Sequence, residues 1–351
     1  MSDTADRQEL ARTVRAVLAK HGDRSVLRRA LDSDLGYDEH LWTLLCEQVG
    51  VAALAIPEEY GGIGAGLPEA FAVLEELGHT LHAPPMLGSA VLGAQAVLLS
   101  GNTAACERLL PEVAEGTRTL ALCWADKHGW ETPGVRAEGD RLTGTAHYVL
   151  DGVAADTLVV VTDAGLYEID AAAPEVTRSV VPTMDPSRRL SAITFADAPA
   201  RLLGIEAVAG RLRDIAWAAV AAEQVGAAEE CLWMTVEYAK SRVQFGRAIG
   251  SFQALKHRMA DMYVLVESAR SAAYRAAAAL EEAGGNPSAA LDLAAARRHC
   301  SEAFAAVVGE TVQLHGGIAI TWEHDAHLYF KRAHGDSQLF GMPHRPLARP
   351  A

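Results

Sequence analysis

The sequence contains few aromatic residues, no closely spaced pair of cysteines and no excess of positive charge. Aromatic residues make up 6% of the chain, and the formal net charge is −14 at pH 7. Nucleic-acid binding depends on positive charge that displaces counterions from the phosphates, so this balance argues against a nucleic-acid partner. The five cysteines are scattered and form no CxxC pair, so neither a zinc site nor a disulfide framework is predicted.

The sequence also has no uninterrupted apolar run close to the ~18 residues that a membrane-spanning helix needs. Its first residues, Met1–Gln8, are polar and acidic, unlike the basic and apolar series of a secretory signal. We therefore expect a cytoplasmic protein that does not enter a membrane.

Alanine and other apolar residues are abundant, and hydrophobic residues make up 50% of the 351 positions. Because alanine is the strongest helix former, this composition predicts a mainly helical protein. Residues 1–116 are interpreted as an N-terminal helical domain. Its segment PEEYGGIGAG at 57–66 has too many glycines to continue a helix and is predicted to be a loop.

Residues 117–205 differ in composition and are predicted to form an inserted antiparallel β domain. Short apolar segments alternate there with turn residues such as those at 138–140 and 163–165. The segment TLVVVT at 157–162 is β-branched and nearly continuous in apolar residues, which is typical of a strand covered on both faces.

Residues 206–351 return to helices. Apolar residues recur there at spacings of three and four, as one buried helix face requires; they are Leu255, Met259, Met262, Val266, Ala269 and Ala273. Gly284 and Gly285 should end this helix, and Asn286 should cap the next one, which continues to about Leu314. Two long helices joined by a short turn form an antiparallel hairpin, the beginning of a bundle.

Three segments carry a resemblance to a known family. They are PEEYGGIGAGLPEAFAVLEELGHT at 57–80, YAKSRVQFGRAIGSFQALKHRMADM at 238–262 and VQLHGGIAITWEHDAHLYFKRA at 312–333. Each resembles a signature of the acyl-CoA dehydrogenases, and the similarity covers nearly the whole chain. The resemblance implies a helical domain, a β domain and a C-terminal four-helix bundle, with FAD as cofactor and an acyl-CoA or other acyl thioester as substrate.

The second segment has residue types that suit FAD. This cofactor combines an anionic pyrophosphate with flat apolar rings, so its site needs a cation, hydrogen-bonding amides and closely approaching backbone. Arg242 offers a guanidinium for the pyrophosphate and Phe245 an apolar surface for the adenosine half. Gly246 allows a sharp turn beside them, and Gln253 can donate and accept hydrogen bonds at once. Without the neighbouring motifs, the same stretch would be interpreted as a surface turn.

The third segment supplies Gln313 and the pair Gly316 and Gly317, which close a helix and leave room for a phosphate or a ribose. A glycine pair by itself is equally typical of a helix C-cap. In the family the two segments come from neighbouring subunits, so the resemblance implies a homo- or hetero-oligomer, a dimer or a tetramer.

The family reaction needs a carboxylate that removes the α-proton of the acyl thioester. At the position of the family's usual glutamate this chain has Phe340, and at the alternative position it has Ala216. Neither side chain can accept a proton. The remaining candidates are Glu223, for which a helix-packing or capping role is the favoured interpretation, and Asp336, the only carboxylate left near Phe340.

The positions beside the flavin and the substrate also differ from the family pattern. Leu150 stands where a hydroxyl is usual. Asp214 matches a position that contacts coenzyme A, but Trp217 replaces a nearby arginine.

Three functions are compatible with this combination. The first is a short actinobacterial-type acyl-CoA dehydrogenase in which this chain is the base-less subunit of a heteromer, with electrons passing to an electron-transferring flavoprotein. The second is a tailoring enzyme of the same fold with altered chemistry on a carrier-bound or free intermediate. The third is a non-catalytic scaffold subunit, against which the retained Arg242, Phe245, Gln253 and Gln313 argue.

Overall fold

The computed structural model describes residues 2–205, 207–282 and 287–342. The turn predicted at Gly284 and Gly285 and the cap predicted at Asn286 lie outside these residues. The chain divides into two compact units. The first contains residues 2–73, His82–Ala216 and Leu339–Gly341, and the second contains Leu74–Leu81 and Trp217–Gln338.

The N-terminal part consists of short helices joined by tight turns. They are α1 Ser2–His21, α2 Arg24–Asp32, α3 Glu39–Val49, α4 Leu67–Thr80, α5 Ala94–Leu99 and α6 Thr103–Ala114, with a π-helix at Met86–Gly93. Side-chain caps set several starts: Asp23 accepts from the first turn of α2 and Asp38 from that of α3. The glycine-rich segment at 57–66 is a loop, as predicted, apart from one short 3₁₀ turn, Glu58–Tyr60.

The middle of the chain forms two four-stranded sheets and a short hairpin. Their strands are β1 Leu120–Cys123, β2 Ala125–Asp126, β3 Gly129–Pro133, β4 Val135–Glu138, β5 Arg141–Leu150, β6 Thr157–Thr162, β7 Gly165–Asp170, β8 Val176–Val181, β9 Leu190–Pro199 and β10 Arg201–Gly204. The sheet orders are β1-β6-β7-β10 and β4-β5-β9-β8. The pairing is antiparallel as predicted, except that β1 and β6 run parallel. Strand β6, the segment TLVVVT, is buried along its whole length, as predicted.

The C-terminal part is helical. Four helices are described there: α7 Ala209–Ser241, α8 Gln253–Glu281, α9 Pro287–His315 and α10 Ala326–Gln338. A small hairpin, β11 Val243–Gln244 and β12 Arg247–Ala248, separates α7 from α8. The apolar stripe predicted for α8 is confirmed, because its last four members, from Met262 to Ala273, are buried.

Hydrogen bonds and ion pairs fix the direction of the bundle helices. Side chains of α7 at positions 224 and 235 bond α9 at positions 301 and 311, so these two helices run parallel. Side chains of α8 at positions 258 and 275 pair with α9 at positions 310 and 292, so those two are antiparallel. This is the hairpin arrangement predicted from the sequence.

The described helices and strands change type near the predicted boundaries. Helix α6 ends at Ala114 and β1 begins at Leu120, while β10 ends at Gly204 and α7 begins at Ala209. The compact units group these elements differently, since helices and sheets share the first unit. The division into three domains at 1–116, 117–205 and 206–351 stays a prediction.

Within the described residues, one stretch, Ser288–Ile320, is long and apolar enough to cross a membrane by length and composition, with mean hydropathy 1.3. No uninterrupted apolar run marks this stretch in the sequence, because it is apolar only on average. It contains packed core residues of α9, among them Phe304 and Val308. A core helix of a bundle meets the same criterion, so this feature alone does not indicate a membrane.

Candidate functional site

The hairpin between α7 and α8 presents Arg242 and Phe245 to solvent. Strands β11 and β12 are joined by the two residues Phe245 and Gly246, whose φ angles are 53° and 74°. Two positive φ angles in a two-residue connection define a type I′ turn, and Gly246 adopts its angle without a Cβ penalty. Phe245 is 92% exposed. A large aromatic held in a left-handed conformation in open solvent contributes little to this chain's own core.

Gln253 is the first residue of α8 and is exposed. Its amide nitrogen lies 3.4 Å from Nε2 of His257, one helical turn later. The guanidinium of Arg247 lies 4.0 Å above the ring of Phe252, immediately before Gln253. The start of α8 is therefore ordered by local contacts, while the Gln253 side chain stays available on the surface.

The end of α9 provides the other predicted segment. Gln313, Gly316 and Gly317 are all exposed. Gly316 has a φ of 66°, which glycine adopts without strain, so the helix C-cap interpretation also holds. A Cβ added at Gly316 or Gly317 would meet no atom of the chain within 4 Å. The space beside both glycines is therefore open in the single chain.

The two segments lie at the same end of the bundle. The rings of Tyr238 in α7 and His315 in α9 stack with centroids 4.3 Å apart. Nδ1 of His315 donates to the Thr311 carbonyl over 2.8 Å, and burial lowers the pKa of His315. A neutral histidine held in this way packs the end of α9 against α7.

These features fit the dinucleotide half of FAD. One guanidinium, one exposed aromatic ring, two primary amides and open space beside three glycines match a pyrophosphate, an adenine and a ribose. All six predicted residues face solvent instead of being packed within their own chain. These residues therefore supply the polar and apolar groups that suit the dinucleotide, but a second surface is needed to enclose a ligand.

Leu150, the β-domain position that the resemblance assigns to the flavin side, is closed by packing. Leu150 is 5% exposed, so the leucine that replaces the family's hydroxyl residue belongs to the core. Trp124 and Trp130 are buried and contact edge to face, with ring centroids 5.9 Å apart. Trp130 also lies 6.3 Å from the ring of Tyr148.

The position of the usual base is part of the same aromatic cluster. Phe340 is 3% exposed, and its ring centroid lies 4.6 Å from that of Trp130. Ala216, at the alternative position, is completely buried in α7. Apolar packing therefore occupies both positions to which the resemblance assigns a carboxylate.

The two candidate carboxylates lie beside buried arginines. Glu223 is 3% exposed and forms an ion pair with Arg332, which is fully buried and also donates to the Leu81 carbonyl. Asp336 is fully buried on α10. Burial lowers the pKa of Arg297 to about 10, and the nearby charge of Asp336 acts in the opposite direction. This geometry favours the helix-packing role for Glu223 and gives Asp336 the same kind of surroundings.

Asp214, the predicted substrate contact, is half-buried near the start of α7. Burial raises its pKa, and the charges of Arg211 and Arg213 oppose that shift. Arg213 lines a cavity of about 320 Å³ together with both buried tryptophans and Glu131. A cavity of this size is at the lower end of the range for small-molecule sites, roughly 300–1,000 Å³. The substrate-binding role of Asp214 stays a prediction.

Sequence patterns did not reveal a charged cluster in the second unit. Arg270 pairs with Glu75 and, over 2.9 Å, with Glu229, while Nε2 of His79 lies 3.1 Å from Glu229. Burial acts to raise the pKa of Glu229, but the His79 hydrogen bond and the Arg270 charge outweigh it and hold the pKa at about 2. The two carboxylates and the imidazole have ligand atoms within 4.8 Å of one another, as a metal site would. The guanidinium of Arg270 already provides the positive charge that a metal ion would bring to these carboxylates.

Comparisons with known proteins agree with this architecture. The model of the acyl-CoA dehydrogenase N-terminal domain matches residues 4–117, and that of the C-terminal domain matches residues 204–342. The acyl-CoA dehydrogenase IpdE2 of Mycolicibacterium smegmatis is 44% identical over 344 residues, which cover 98% of this chain and 97% of the relative.

Two solved structures are similar along nearly the whole chain. A chain of the ChsE4-ChsE5 complex from Mycobacterium tuberculosis has a TM-score of 0.89 and 30% identity, with 96% of this chain and 93% of that chain covered. A chain of the Tcur3481-Tcur3483 steroid ACAD variant has a TM-score of 0.88 and 31% identity, with 97% of this chain and 95% of that chain covered. The chain therefore belongs to the acyl-CoA dehydrogenase family, whose members are FAD-dependent oxidoreductases.

Proposed function

We propose that this chain is the base-less subunit of a heteromeric acyl-CoA dehydrogenase that catalyses α,β-dehydrogenation of an acyl-CoA thioester. The observation that carries the proposal is a contrast within one molecule. The residues suited to the dinucleotide are retained and exposed, whereas Phe340 is packed against Trp130 at the position of the base. A chain with this combination can help to hold FAD but cannot take the α-proton with its own residues at the family positions.

Each retained residue has a defined task in binding. FAD, when bound, accepts the β-hydrogen of the thioester as a hydride. Arg242 neutralises the pyrophosphate charge, and Phe245 covers an apolar face of the adenosine half. Gln253 and Gln313 donate and accept hydrogen bonds with the polar groups of the dinucleotide. Gly317 leaves space where a side chain would block the approach.

The carboxylate that removes the α-proton comes, in this proposal, from a homologous partner chain. Two similar solved structures are named for pairs of different chains, ChsE4-ChsE5 and Tcur3481-Tcur3483. Since the second of these is named as a steroid ACAD, that is, an acyl-CoA dehydrogenase, thioesters with fused-ring acyl groups are the first substrates to test. Electrons then pass to an electron-transferring flavoprotein, and the enzyme works in the cytoplasm.

The experiment compares the chain expressed alone with the chain co-expressed with a base-bearing homologue. The chain expressed alone should hold little flavin and should not be reduced by an acyl thioester. The co-purified complex should show flavin absorbance and bleach when the thioester is added. Full thioester reduction by the pure single chain would overturn the proposal.

Two arginines of the same hairpin provide a matched pair of variants. Arg242→Ala should reduce the flavin content of the complex at least tenfold, because a charge-assisted contact to a pyrophosphate is lost, at about 1.4 kcal/mol for each factor of ten. Arg247→Ala should retain flavin, since Arg247 contacts the Phe252 ring and belongs to the local fold. Equal flavin content in both variants would contradict the role given to Arg242.

A further inference from the structure

A buried carboxyl group lies where the end of β5 meets the π-helix of the first unit. Asp151 directly follows β5 and is 9% exposed. A Cβ added to Gly88 of the π-helix would lie 2.8 Å from Oδ2 of Asp151 and 3.1 Å from Cβ of Leu150. The backbone of the π-helix therefore packs directly on these two residues, and a side chain at position 88 would collide with the carboxyl group. The contact between Asp151 and Gly88 is called the latch.

The backbone on the β-domain side of the latch is fixed by a turn. Asp151 has a φ of 53°, in the left-handed region that aspartate adopts more readily than most residues. Its carbonyl accepts from the Ala154 amide over 2.9 Å. The turn therefore holds the Asp151 backbone in place, whatever the charge of the side chain.

Two titratable groups face Asp151 from neighbouring segments. Arg188, between β8 and β9, favours the ionised carboxylate, but burial outweighs it and raises the pKa of Asp151 to about 7. Tyr37, between α2 and α3, is partly buried. Burial and the charge of Asp151, with smaller contributions from two further carboxylates, raise the pKa of Tyr37 to about 12, so its hydroxyl stays neutral. The π-helix, with the sequence MLGSAVLG, brings no titratable side chain.

The π-helix Met86–Gly93 packs on the β domain at two places. Oγ of Ser89 accepts from the Leu120 amide of β1 over 2.8 Å, and Gly88 packs on the turn after β5. The first contact contains no titratable group, whereas the second contains the carboxyl group of Asp151. A change in charge at Asp151 therefore acts on one of these contacts and leaves the other in place. Turns of π-helix are rare and are often found at functional sites.

We propose that the latch is sensitive to pH: it holds the π-helix on the end of β5 while the Asp151 carboxyl group is protonated and releases it when the group is ionised. Ionisation places a charge against a glycine backbone in a buried contact, where the charge is poorly solvated. Movement of the π-helix away from the turn admits water to the carboxylate, which stabilises the ionised form. The latch belongs to the first unit alone and does not depend on the proposed function.

Release is coupled to the loss of one proton, which determines the direction of the pH dependence. The closed latch keeps its proton up to about pH 7, whereas an aspartate in water releases it near 3.8. Between these values, each rise of one pH unit should make release about ten times more favourable. Above about pH 7 both forms are ionised, so the effect should level off.

Amide hydrogen exchange of the full chain, measured by mass spectrometry on peptides, tests the latch. Compared with Asp151→Asn at the same pH, residues 86–93 of the wild type should lose about tenfold or more of their protection between pH 5 and pH 7. They should also exchange faster than residues 157–162 of the buried strand β6, because release does not require global unfolding. Asp140→Asn, at an exposed turn, should keep the wild-type pH dependence.

Gly88→Ala tests the contact itself without removing the titrating group. Its added Cβ would lie 2.8 Å from Oδ2 of Asp151, so residues 86–93 should be about tenfold or more less protected at pH 5 than in the wild type. Wild-type protection in this variant would overturn the proposal. So would a pH dependence that Asp151→Asn retains, a wild type without one, or exchange of residues 86–93 at the same rate as residues 157–162.

Discussion

The ring of Phe340 lies against that of Trp130, with centroids 4.6 Å apart and planes inclined by 52°. Aromatic pairs in this range prefer inclined or offset arrangements, and such a pair adds about 0.5–1.5 kcal/mol beyond the area that it buries. Phe340 has a φ of 59° and is followed by Gly341 with a φ of 71°, so the backbone turns to bring the ring inward. The position to which the family resemblance assigns a base is therefore occupied by a packed aromatic ring.

The substitution Phe340→Glu should therefore not create an active single chain. The new carboxylate would lie in a site that is 3% exposed and lined by a tryptophan ring. Burial of an unpaired polar or charged group of this kind should lower the free energy of unfolding by about 2–4 kcal/mol. Urea unfolding and a thioester reduction assay measure the two effects.

Phe340→Leu is the control, because it keeps an apolar side chain and should cost only about 1–2 kcal/mol. A Phe340→Glu protein with wild-type stability and dehydrogenase activity would show that the aromatic packing is unimportant. The missing carboxylate at position 340 would then be the only reason why the wild-type chain is inactive by itself.

The glycine pair after α9 allows cofactor contact to be separated from folding. Gly317 has no atom of the chain within 4 Å of an added Cβ, so Gly317→Leu should change the free energy of unfolding by less than about 0.5 kcal/mol. If FAD occupies that space in the complex, the flavin content should fall at least tenfold. Absorbance per mole of complex measures it.

Gly316→Ala, unlike Gly317→Leu, should lower the stability of the chain itself, because the φ of 66° is unfavourable for alanine. About 1 kcal/mol of stability should be lost there through the backbone alone. Unchanged flavin content in Gly317→Leu would mean that the open space serves no ligand.

Local sequence patterns were sufficient for much of the fold. The spacing of Met262, Val266 and Ala269 gave the buried side of α8, and the glycines at 57–66 gave a loop. Both are properties of neighbouring residues, which periodicity and turn chemistry report directly. The parallel pairing of β1 with β6 was missed, because a strand pattern contains no information on the direction of its partner.

Contacts between residues far apart in the sequence were not predictable either, because a local pattern contains no information on which distant residue it will meet. Phe340 and Trp130 are 210 positions apart, and Arg332 and Glu223 are 109 positions apart. Arg297 and Arg332 are fully buried, although arginine is normally exposed. The family resemblance predicted the cofactor segments, but only the fold shows that all six residues proposed for FAD face solvent.

The charged cluster in the second unit should lose stability when its one guanidinium, that of Arg270, is removed. Arg270→Met would leave Glu75 and Glu229 close together and largely buried without their common cation. Removing one partner of a buried ion pair costs about 3–5 kcal/mol, and the free energy of unfolding in urea should fall by that amount. Glu75→Gln combined with Arg270→Met should recover part of the loss.

The same variant should acquire affinity for zinc. Glu75, His79 and Glu229 have ligand atoms within 4.8 Å of one another, and zinc accepts both carboxylates and imidazole. Added Zn²⁺ should raise the melting temperature of Arg270→Met but not that of the wild type, whose guanidinium occupies the place of the cation. A wild-type protein stabilised by zinc to the same extent would contradict this account of the cluster.

The contribution of Asp151 to the free energy of unfolding should fall as the pH rises, which is opposite to the behaviour of most carboxylates. Burial raises the pKa of Asp151 from 3.8 to about 7, with the charge of Arg188 acting against the shift. Between those values the folded chain holds a proton that the unfolded chain releases. The contribution of Asp151 to stability is therefore fully present below about pH 4 and is lost as the pH rises through about 7.

Asp151→Asn removes this titration while retaining the shape of the side chain. A rise of the pKa from 3.8 to about 7 corresponds to about 4 kcal/mol, so the variant should be more stable than the wild type at pH 8 by up to that amount. At pH 4 the two proteins should have nearly equal free energies of unfolding. Asp140→Asn, at an exposed turn, should show no such difference. If the advantage of Asp151→Asn were the same at pH 4 and pH 8, Asp151 would be ionised throughout, and a buried partner such as Arg188 would have to hold its charge.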